Sequence, residues 1–554
     1  MKRSTHAVSV VALGGFGEIG KNMMAVRYRD EIVVIDAGLA FPEEEMLGVD
    51  IVIPDITYLL ENRKMVKGIV LTHGHEDHVG ALPYVLKQLN VPVYGTKLTL
   101  GLVRRKLKEH NIDDPDLREV RPRQRIDVGR LDIEFFRVNH SIADCVGVAI
   151  HTPAGTVVHS GDFKFDQTPV DGEVADFHKL AELGDGGVLA LLSDSTNADR
   201  PGYTPSERVV GKNLRDIFAS NDSRVLVASF ASHVLRIQQV ITAAAEFGRK
   251  VAVVGRSMEN VVEVALELGY IHAPENVLVD VEEAVRMPPS KVAMLTTGSQ
   301  GEPMSALARI ATAEHKKIDI IPGDIVIIAA SPVPGNETTV MRTIDNLFRR
   351  GARVVYEASS GVHVSGHASQ EELKLMLNLV RPKYFVPIHG EYRHLMHHAE
   401  LAEHVGIPRA NILVGENGTV FEFLSDRAKF GDMVAHGNVM VDGLSVGDVG
   451  SVVLRDRKQL AEDGILIVVV VVDSETKELL SGPDIVTRGF VYVRESEPLM
   501  EDARGLVRQR VEECVASGVR EWPAIKSAVK ESLSAFFHER LGRRPLILPV
   551  IMEV

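Results

Sequence analysis

The chain has 554 residues, 45% hydrophobic and 25% charged, with a formal net charge of −14. That length exceeds what one core supports and the balance is that of a globular protein, so two or three domains are expected. The longest pure aliphatic run, Ile465 to Val472, is too short to span a bilayer. Two cysteines, Cys145 and Cys514, can build neither a disulfide framework nor a thiolate metal site. No membrane partner is therefore expected, and a reducing, cytoplasmic setting fits. Net acidity argues weakly against a nucleic-acid partner. Arg104-Arg105-Lys106, then Arg118, Arg121, Arg123 and Arg125, then Arg349, Arg350 and Arg353 nevertheless form basic islands, compatible with a polyanion on a restricted path or with solvated faces.

Strand-like runs alternate with helical periods up to about residue 425, which is the α/β signature. The start, Met1-Lys2-Arg3 followed by an apolar run from Ala7 to Leu13, faintly resembles a secretory leader. It lacks a cleavage site and leads into glycines, so it reads as a first strand. Gly15-Phe-Gly17-Glu-Ile-Gly20 follows, with Asp36 ending the run Ile32 to Ile35. This matches the nicotinamide and flavin dinucleotide fingerprint. Lys21 to Asp30 is short for a crossover helix, however, and Asp30-Glu31 between β-favouring runs reads as a hairpin. The glycines then form a tight loop beside what comes next.

After the short apolar stretch Gly68 to Leu71 come His73, His75, Asp77 and His78. Imidazoles two residues apart on a tight turn can converge on one cation, and a carboxylate and third imidazole from the following helix start can take a second. A chance cluster of three histidines and one aspartate at this spacing is improbable. The strand Ile133 to Val138 ends at Asn139-His140-Ser141, and Thr156 to His159 leads into Ser-Gly161-Asp162. Gly161 lets the backbone turn so that the Asp162 carboxylate, which can bridge two cations, faces inward. Asp36 is placed to orient the ligand loop by hydrogen bonds.

Val188 to Leu192 is the next strand, and a second series starts near Pro205: Val225 to Ala228, Val251 to Gly255 with a helix over Met258 to Leu268, Val292 to Thr296, and Asp324 to Ala330. Ligand-type residues return at His363, His367 and His389, so this doubly wound unit reads as an insertion. Residues 1–204 and 356–425 form the host, 205–355 the insertion, 426–450 an irregular linker, and 451–554 a small α/β domain with a helix over Leu499 to Val515 and a closing strand from Leu546.

The ordered set His73-x-His75-x-Asp77-His78, His140 and Asp162 resembles the metallo-β-lactamase superfamily, two facing sheets flanked by helices. Ser193-Asp194-Ser-Thr-Asn197, His363-Val-Ser-Gly-His367 and Pro387-Ile-His389-Gly-Glu-Tyr392 resemble the further motifs of its β-CASP nucleases. Gly14 to Gly20, the length and the extra terminal domain are similar to the bacterial ribonuclease J family. The resemblance implies an αββα sandwich with an inserted β-CASP domain and a C-terminal α/β domain.

It also implies roles. His73, His75 and His140 would hold one divalent cation, zinc or manganese, and Asp77, His78 and His389 the second, with Asp162 bridging. His367 would act on the scissile phosphate with Asp194 hydrogen-bonded nearby, and Asp77 would share in catalysis. Ser232, His233 and Val234 together with His363, Val364, Ser365, Gly366 and His367 would bind nucleotide phosphate. Gly48, Asp50 and Asp442 are candidates for a structural calcium. The expected activity is 5′ to 3′ hydrolysis of single-stranded RNA from a 5′-monophosphate end, with secondary internal cleavage, in mRNA decay and RNA maturation. A histidine at position 389 favours RNA over DNA. A homodimer or tetramer and RNA-decay partners are expected. The rivals are another hydrolase of the scaffold, such as a lactonase or thioesterase, and a non-catalytic RNA-binding scaffold.

Overall fold

The computed structural model describes residues 7–554 except 303, 333–335, 357–359, 425, 475, 477, 492–495 and 520. The Met1-Lys2-Arg3 start of the supposed leader thus lies outside the described residues. The chain divides into two compact units, Met1–Phe41 with Ile51–Val439, and Pro42–Asp50 with Met440–Val554.

Period-two alternation builds the first unit. In the strand Leu131–Arg137, Ile133 and Phe135 face one core while Phe136 faces another. The first core lies between an eight-stranded sheet containing Val8–Gly14, Met23–Tyr28, Glu31–Ile35 and Val66–Val70, and a six-stranded sheet containing Leu131–Arg137, Val146–Thr152, Gly155–His159, Val188–Asp194 and Tyr384–Ile388. Val10, Val33 and Val70 meet Ile133, Val148 and Val386 there. On the outer side of the second sheet, Ala149, Leu191 and Phe385 pack with Leu180, Leu377 and Ala399 of flanking helices.

Met23–Tyr28 and Glu31–Ile35 are antiparallel with Tyr28 opposite Glu31. Only Arg29 and Asp30 connect them, which leaves no room for a crossover helix and removes the dinucleotide reading.

The inserted sheet is wholly parallel, in the order Leu278–Val279, Lys250–Val254, Val292–Thr296, Val225–Ala228, Ile325–Ile328, Arg353–Val355. Alternate residues feed cores on both faces, Val227 and Leu295 on one, Leu226 and Met294 on the other, as a doubly wound sheet requires. The chain leaves the host sheet after Val188–Asp194 and returns as Tyr384–Ile388, its parallel neighbour, with Asp194 opposite Ile388. That pairing sets His389 beside Asp194.

In the second unit Ile465–Val472 lies between antiparallel Leu479–Arg488 and parallel Leu546–Glu553. Leu466, Val468 and Val470 pack under the helices Glu497–Ala516 and Trp522–Leu541 through Met500, Val507, Val529 and Leu533. Sequence reading had singled out only the first of these helices. The stretch expected as an irregular linker carries the strands Ala428–Phe430, Asn438–Asp442 and Ser445–Val446. Among the described residues no helix is long and apolar enough to cross a membrane.

Candidate metal centre and phosphate pocket

Asp36 sets the ligand loop. It ends Glu31–Ile35 in a left-handed conformation, φ 59°, a strain that persists where surroundings over-determine it. Its carboxylate accepts from Thr72 N at 2.8 Å and Thr72 Oγ1 at 2.9 Å, and Oδ2 also lies 2.8 Å from His78 Nδ1. One side chain therefore contacts both ends of the loop.

His73 Nε2 and His140 Nε2 approach His75 Nδ1 to 3.0 and 3.1 Å. Nitrogens sharing a tetrahedral cation at ~2.0 Å sit roughly 3.3 Å apart. His140 Nδ1–H donates to the Gly366 carbonyl at 2.8 Å, which leaves its Nε2 lone pair facing inward. Burial holds His73 and His140 well below the usual imidazole range and His75 at about 4. Three neutral imidazoles aiming lone pairs at one point repel one another unless a cation lies between them, so the donor set fits a metal.

The second set is built on charge. His78 Nε2 lies 3.2 Å from Asp162 Oδ2 and 3.6 Å from Asp77 Oδ2, and His389 Nε2 lies 3.3 Å from Asp77 Oδ2. Asp162 Oδ2 also lies 3.8 Å from both His73 Nε2 and His140 Nε2, so one oxygen faces both sets. Gly161, at φ 61° with the Val146 carbonyl where a Cβ would go, makes the turn that aims it. Burial opposes charge on His78, but Asp162, Asp77 and Asp36 outweigh it and raise its pKa well above normal. His389 rises to about 10 in the same way, through Asp162, Asp194 and Asp77. The carboxylates demand positive charge here, which a divalent cation supplies while freeing both imidazoles to ligate. His389, at φ 51°, is held by its N–H on the Gly15 carbonyl at 2.8 Å and by Thr196 Oγ1, 2.8 Å from its Nδ1. The glycine loop thus does lie beside the centre.

His367 is partly open to solvent, its side chain 19% exposed against 31% for Asp77. Its Nδ1 lies 2.8 Å from Asp194 Oδ2 and 4.0 Å from Asp162 Oδ2. Burial is outweighed by Asp194, and its pKa is raised. Asn22, Thr72 and Thr196 were not foreseen. Asn22 Nδ2 lies 3.1 Å from His78 Nε2 and donates to the Asp77 carbonyl at 3.1 Å.

The phosphate-binding candidates converge from the insertion and from 363–367. His233 is buried, and neither ring nitrogen has a hydrogen-bond partner among the described residues. Ser365 Oγ accepts from Asn197 Nδ2 at 2.8 Å, and Lys164 Nζ donates to the Ser365 and Pro205 carbonyls at 3.2 and 3.3 Å. The side chains of Val234 and Val364 are buried in the core, so these two offer backbone only. A Cβ on Gly366 would meet His140 Cε1 and Nδ1 at 2.7 Å.

Gly48, Asp50 and Asp442 do come together, but around a guanidinium. Arg457 pairs with Asp442 and donates to the Leu47 carbonyl, a Cβ on Gly48 would lie 2.8 Å from Arg457 Nη1, and Asp50 Oδ2 accepts from Gly443 N at 2.7 Å. Arginine supplies the positive charge expected of calcium, so no calcium is assigned. The first two basic islands are largely compensated as well: Arg105 pairs with Glu263, Lys106 with Glu76, Arg118 with Asp116, Arg121 with Glu119, Arg123 with Asp176 and Arg125 with Asp132.

Four family models match the chain in order. They are the metallo-β-lactamase superfamily over residues 17–216, the ribonuclease J β-CASP domain over 222–347, the Zn-dependent metallo-hydrolase RNA specificity domain over 351–411, and the ribonuclease J C-terminal domain over 452–554. Ribonuclease J2 of Bacillus subtilis is 50% identical over 554 residues, all of both chains. The chain belongs to the ribonuclease J family. Ribonuclease J of Thermus thermophilus is 47% identical, covering 99% of this chain and 95% of its own, and ribonuclease J 1 of Streptococcus pyogenes is 44% identical over 99% and 98%. A crystal structure of a protein of unknown function from Enterococcus faecalis matches with a TM-score of 0.55 at 17% identity, over 75% of this chain and 100% of that one, which speaks to fold alone. For a ribonuclease J family member, the sheets described above are the metallo-β-lactamase sandwich, the inserted β-CASP domain and the C-terminal domain.

Proposed function

We propose that the chain is a two-metal ribonuclease that hydrolyses single-stranded RNA from a 5′-monophosphate end in the 5′ to 3′ direction, with secondary internal cleavage. The observation that carries this is Asp162 Oδ2, shared between a three-imidazole set and a mixed carboxylate–imidazole set; the buried His233, whose ring nitrogens make no hydrogen bond among the described residues and whose Nε2 lies 3.6 Å from Glu207 Oε2, adds to it. Zinc or manganese held by His73, His75 and His140 and by Asp77, His78 and His389, with Asp162 between, would supply Lewis acidity toward water and phosphate. Asp36 and Thr196 fix the imidazoles. His367, oriented by Asp194 and partly exposed, can stabilise charge on the scissile phosphate or protonate the leaving 3′ oxygen. Ser232, His233, His363 and Ser365 would donate to the terminal phosphate, and Asp77 would act as ligand rather than as proton carrier. RNA would pass between host and insertion with its bases loosely stacked. A cytoplasmic dimer or tetramer working with other RNA-decay proteins fits this role.

The test is a product ladder from end-labelled RNA, with metal content measured on the same sample. Two metals per chain and mononucleotide products from 5′-monophosphorylated RNA, formed faster than from 5′-triphosphorylated RNA, are expected. Cleavage of a thioester, lactone or β-lactam amide but not RNA would overturn the proposal.

A further inference from the structure

The phosphate pocket is backed by a fully buried arginine that the assignments above leave unused. Arg236 is completely inaccessible. Its Nε and Nη2 each donate at 2.9 Å to the two carboxylate oxygens of Glu207, a bidentate pair. Both hydrogens of Nη1 are also placed, one on the Ala329 carbonyl at 2.5 Å and one on His363 Nδ1 at 2.9 Å. A guanidinium has no acceptor and does not deprotonate. Facing it, His363 Nδ1 can only accept, so the ring proton belongs on Nε2. The Ala329 carbonyl accepts the other Nη1 hydrogen and, having a second lone pair, also faces the His363 ring. Besides Arg236 and the Ala329 backbone, the His363 ring shares its surroundings with His233 and Lys164.

Resting on the ribonuclease reading above, we propose that Arg236 is a positioning residue: clamped by Glu207, it fixes His363 as the Nε2–H tautomer and turns that hydrogen toward the substrate's 5′-phosphate. The cation itself never reaches the phosphate, because Glu207 neutralises it. Burial and the Arg236 charge hold His363 at about 3, so the donor stays neutral across physiological pH. Neutral donors suit an enzyme that must release each nucleotide and admit the next, whereas an exposed guanidinium would retain the phosphate.

Imidazole-15N spectra of the metal-loaded full-length protein test the tautomer independently of turnover. The His363 signal, assigned by its loss in His363→Gln, should show Nδ1 unprotonated and Nε2 protonated. An Nδ1–H tautomer overturns the proposal whatever the protein does to RNA. Kinetics supply a second arm, because a glutamine amide nitrogen mimics Nε2 and an asparagine amide nitrogen mimics Nδ1. His363→Gln should raise KM for a 5′-monophosphorylated oligoribonucleotide clearly less than His363→Asn does. His363→Asn should raise it about tenfold or more, the loss of one hydrogen bond to a charged group, with kcat moving less and the KM ratio between 5′-monophosphorylated and 5′-hydroxyl oligoribonucleotides narrowing. Equal increases for both variants overturn the proposal. A wild type that cleaves both oligoribonucleotides alike removes end recognition from the ribonuclease reading, and the spectrum still decides the tautomer.

Discussion

Replacing Gly366 with alanine should cost metal, although Gly366 is no ligand and lies 226 residues from the histidine it supports. The new Cβ would sit 2.7 Å from His140 Cε1 and Nδ1 and 2.9 Å from Ser141 N, against 3.4 Å for ordinary contact. The His140 ring must therefore retreat by about 0.7 Å, and the Ser141 amide limits its retreat because backbone closes one side. The Gly366 backbone is outside the left-handed region, so the fold itself tolerates alanine and the effect is steric. Displacing the ring also stretches the 2.8 Å hydrogen bond that fixes its tautomer. Such supporting partners are worth about 10–100-fold in metal affinity. Calorimetric titration of metal-stripped protein with zinc or manganese should show one site weakened to that extent and the second, which His140 does not enter, much less affected. Unchanged affinity at both sites, with circular dichroism also unchanged, would refute the argument that His140 is a ligand held from behind by this carbonyl.

His367→Ala should retain both metals and slow RNA cleavage by about 10²–10⁴-fold, the usual contribution of one positioned acid or base; loss of metal in that variant would move His367 into the ligand set. His398 is buried against Ser195 Oγ at 3.0 Å, and burial lowers its pKa from 6.5 to about 3. The unfolded chain therefore binds more protons between those values, and stability falls as pH drops below 6.5. From pH 7 to 5 this histidine should cost about 2 kcal/mol. Denaturant titrations of His398→Leu should show a pH-induced loss smaller by that amount, and an identical loss would contradict the assignment. Calcium chelation with EGTA should leave the melting temperature unchanged because Arg457 already neutralises Asp442. A clear drop restored by calcium would show that a cation site exists after all.

The ligand cluster was legible because its geometry is local. Residues 73–78 leave one strand and enter one helix, so spacing alone predicts convergence, and Asp36 was readable as a carboxylate ending the neighbouring strand. The hairpin was legible for the same reason, although its turn falls at Arg29 and Asp30, one residue before the Asp30-Glu31 read from the sequence. Supports that cross long sequence separations were not legible. Asn22 reaches His78 across 56 residues, Thr196 reaches His389 across 193, and Arg236 reaches His363 across 127. None has a spacing signature, since each contact exists only after the sheets are in register. The basic islands misled in the opposite way. Arg118 and Arg121 find Asp116 and Glu119 two residues away, at the two ends of the short strand Leu117–Glu119. A reading that counted acids at that interval would have discounted the charge.

The insertion explains why His389, the last proposed ligand, could be named from sequence but not placed by it. His389 lies 227 residues beyond Asp162, yet its position depends on a single parallel pairing, Val188–Asp194 with Tyr384–Ile388. Parallel neighbours can be joined by a crossover of any length, so a whole doubly wound domain fits into the connection without disturbing the register. What the register cannot do is turn His389 inward. That requires its left-handed backbone, φ 51°, with its N–H held by the Gly15 carbonyl and its ring by Thr196. The glycine loop that imitates a dinucleotide fingerprint is therefore part of the metal centre's frame. Its tight path past Asn22, where a Cβ on Gly15 would meet Asn22 Oδ1 at 2.3 Å, brings a backbone carbonyl to the far end of the chain's final ligand.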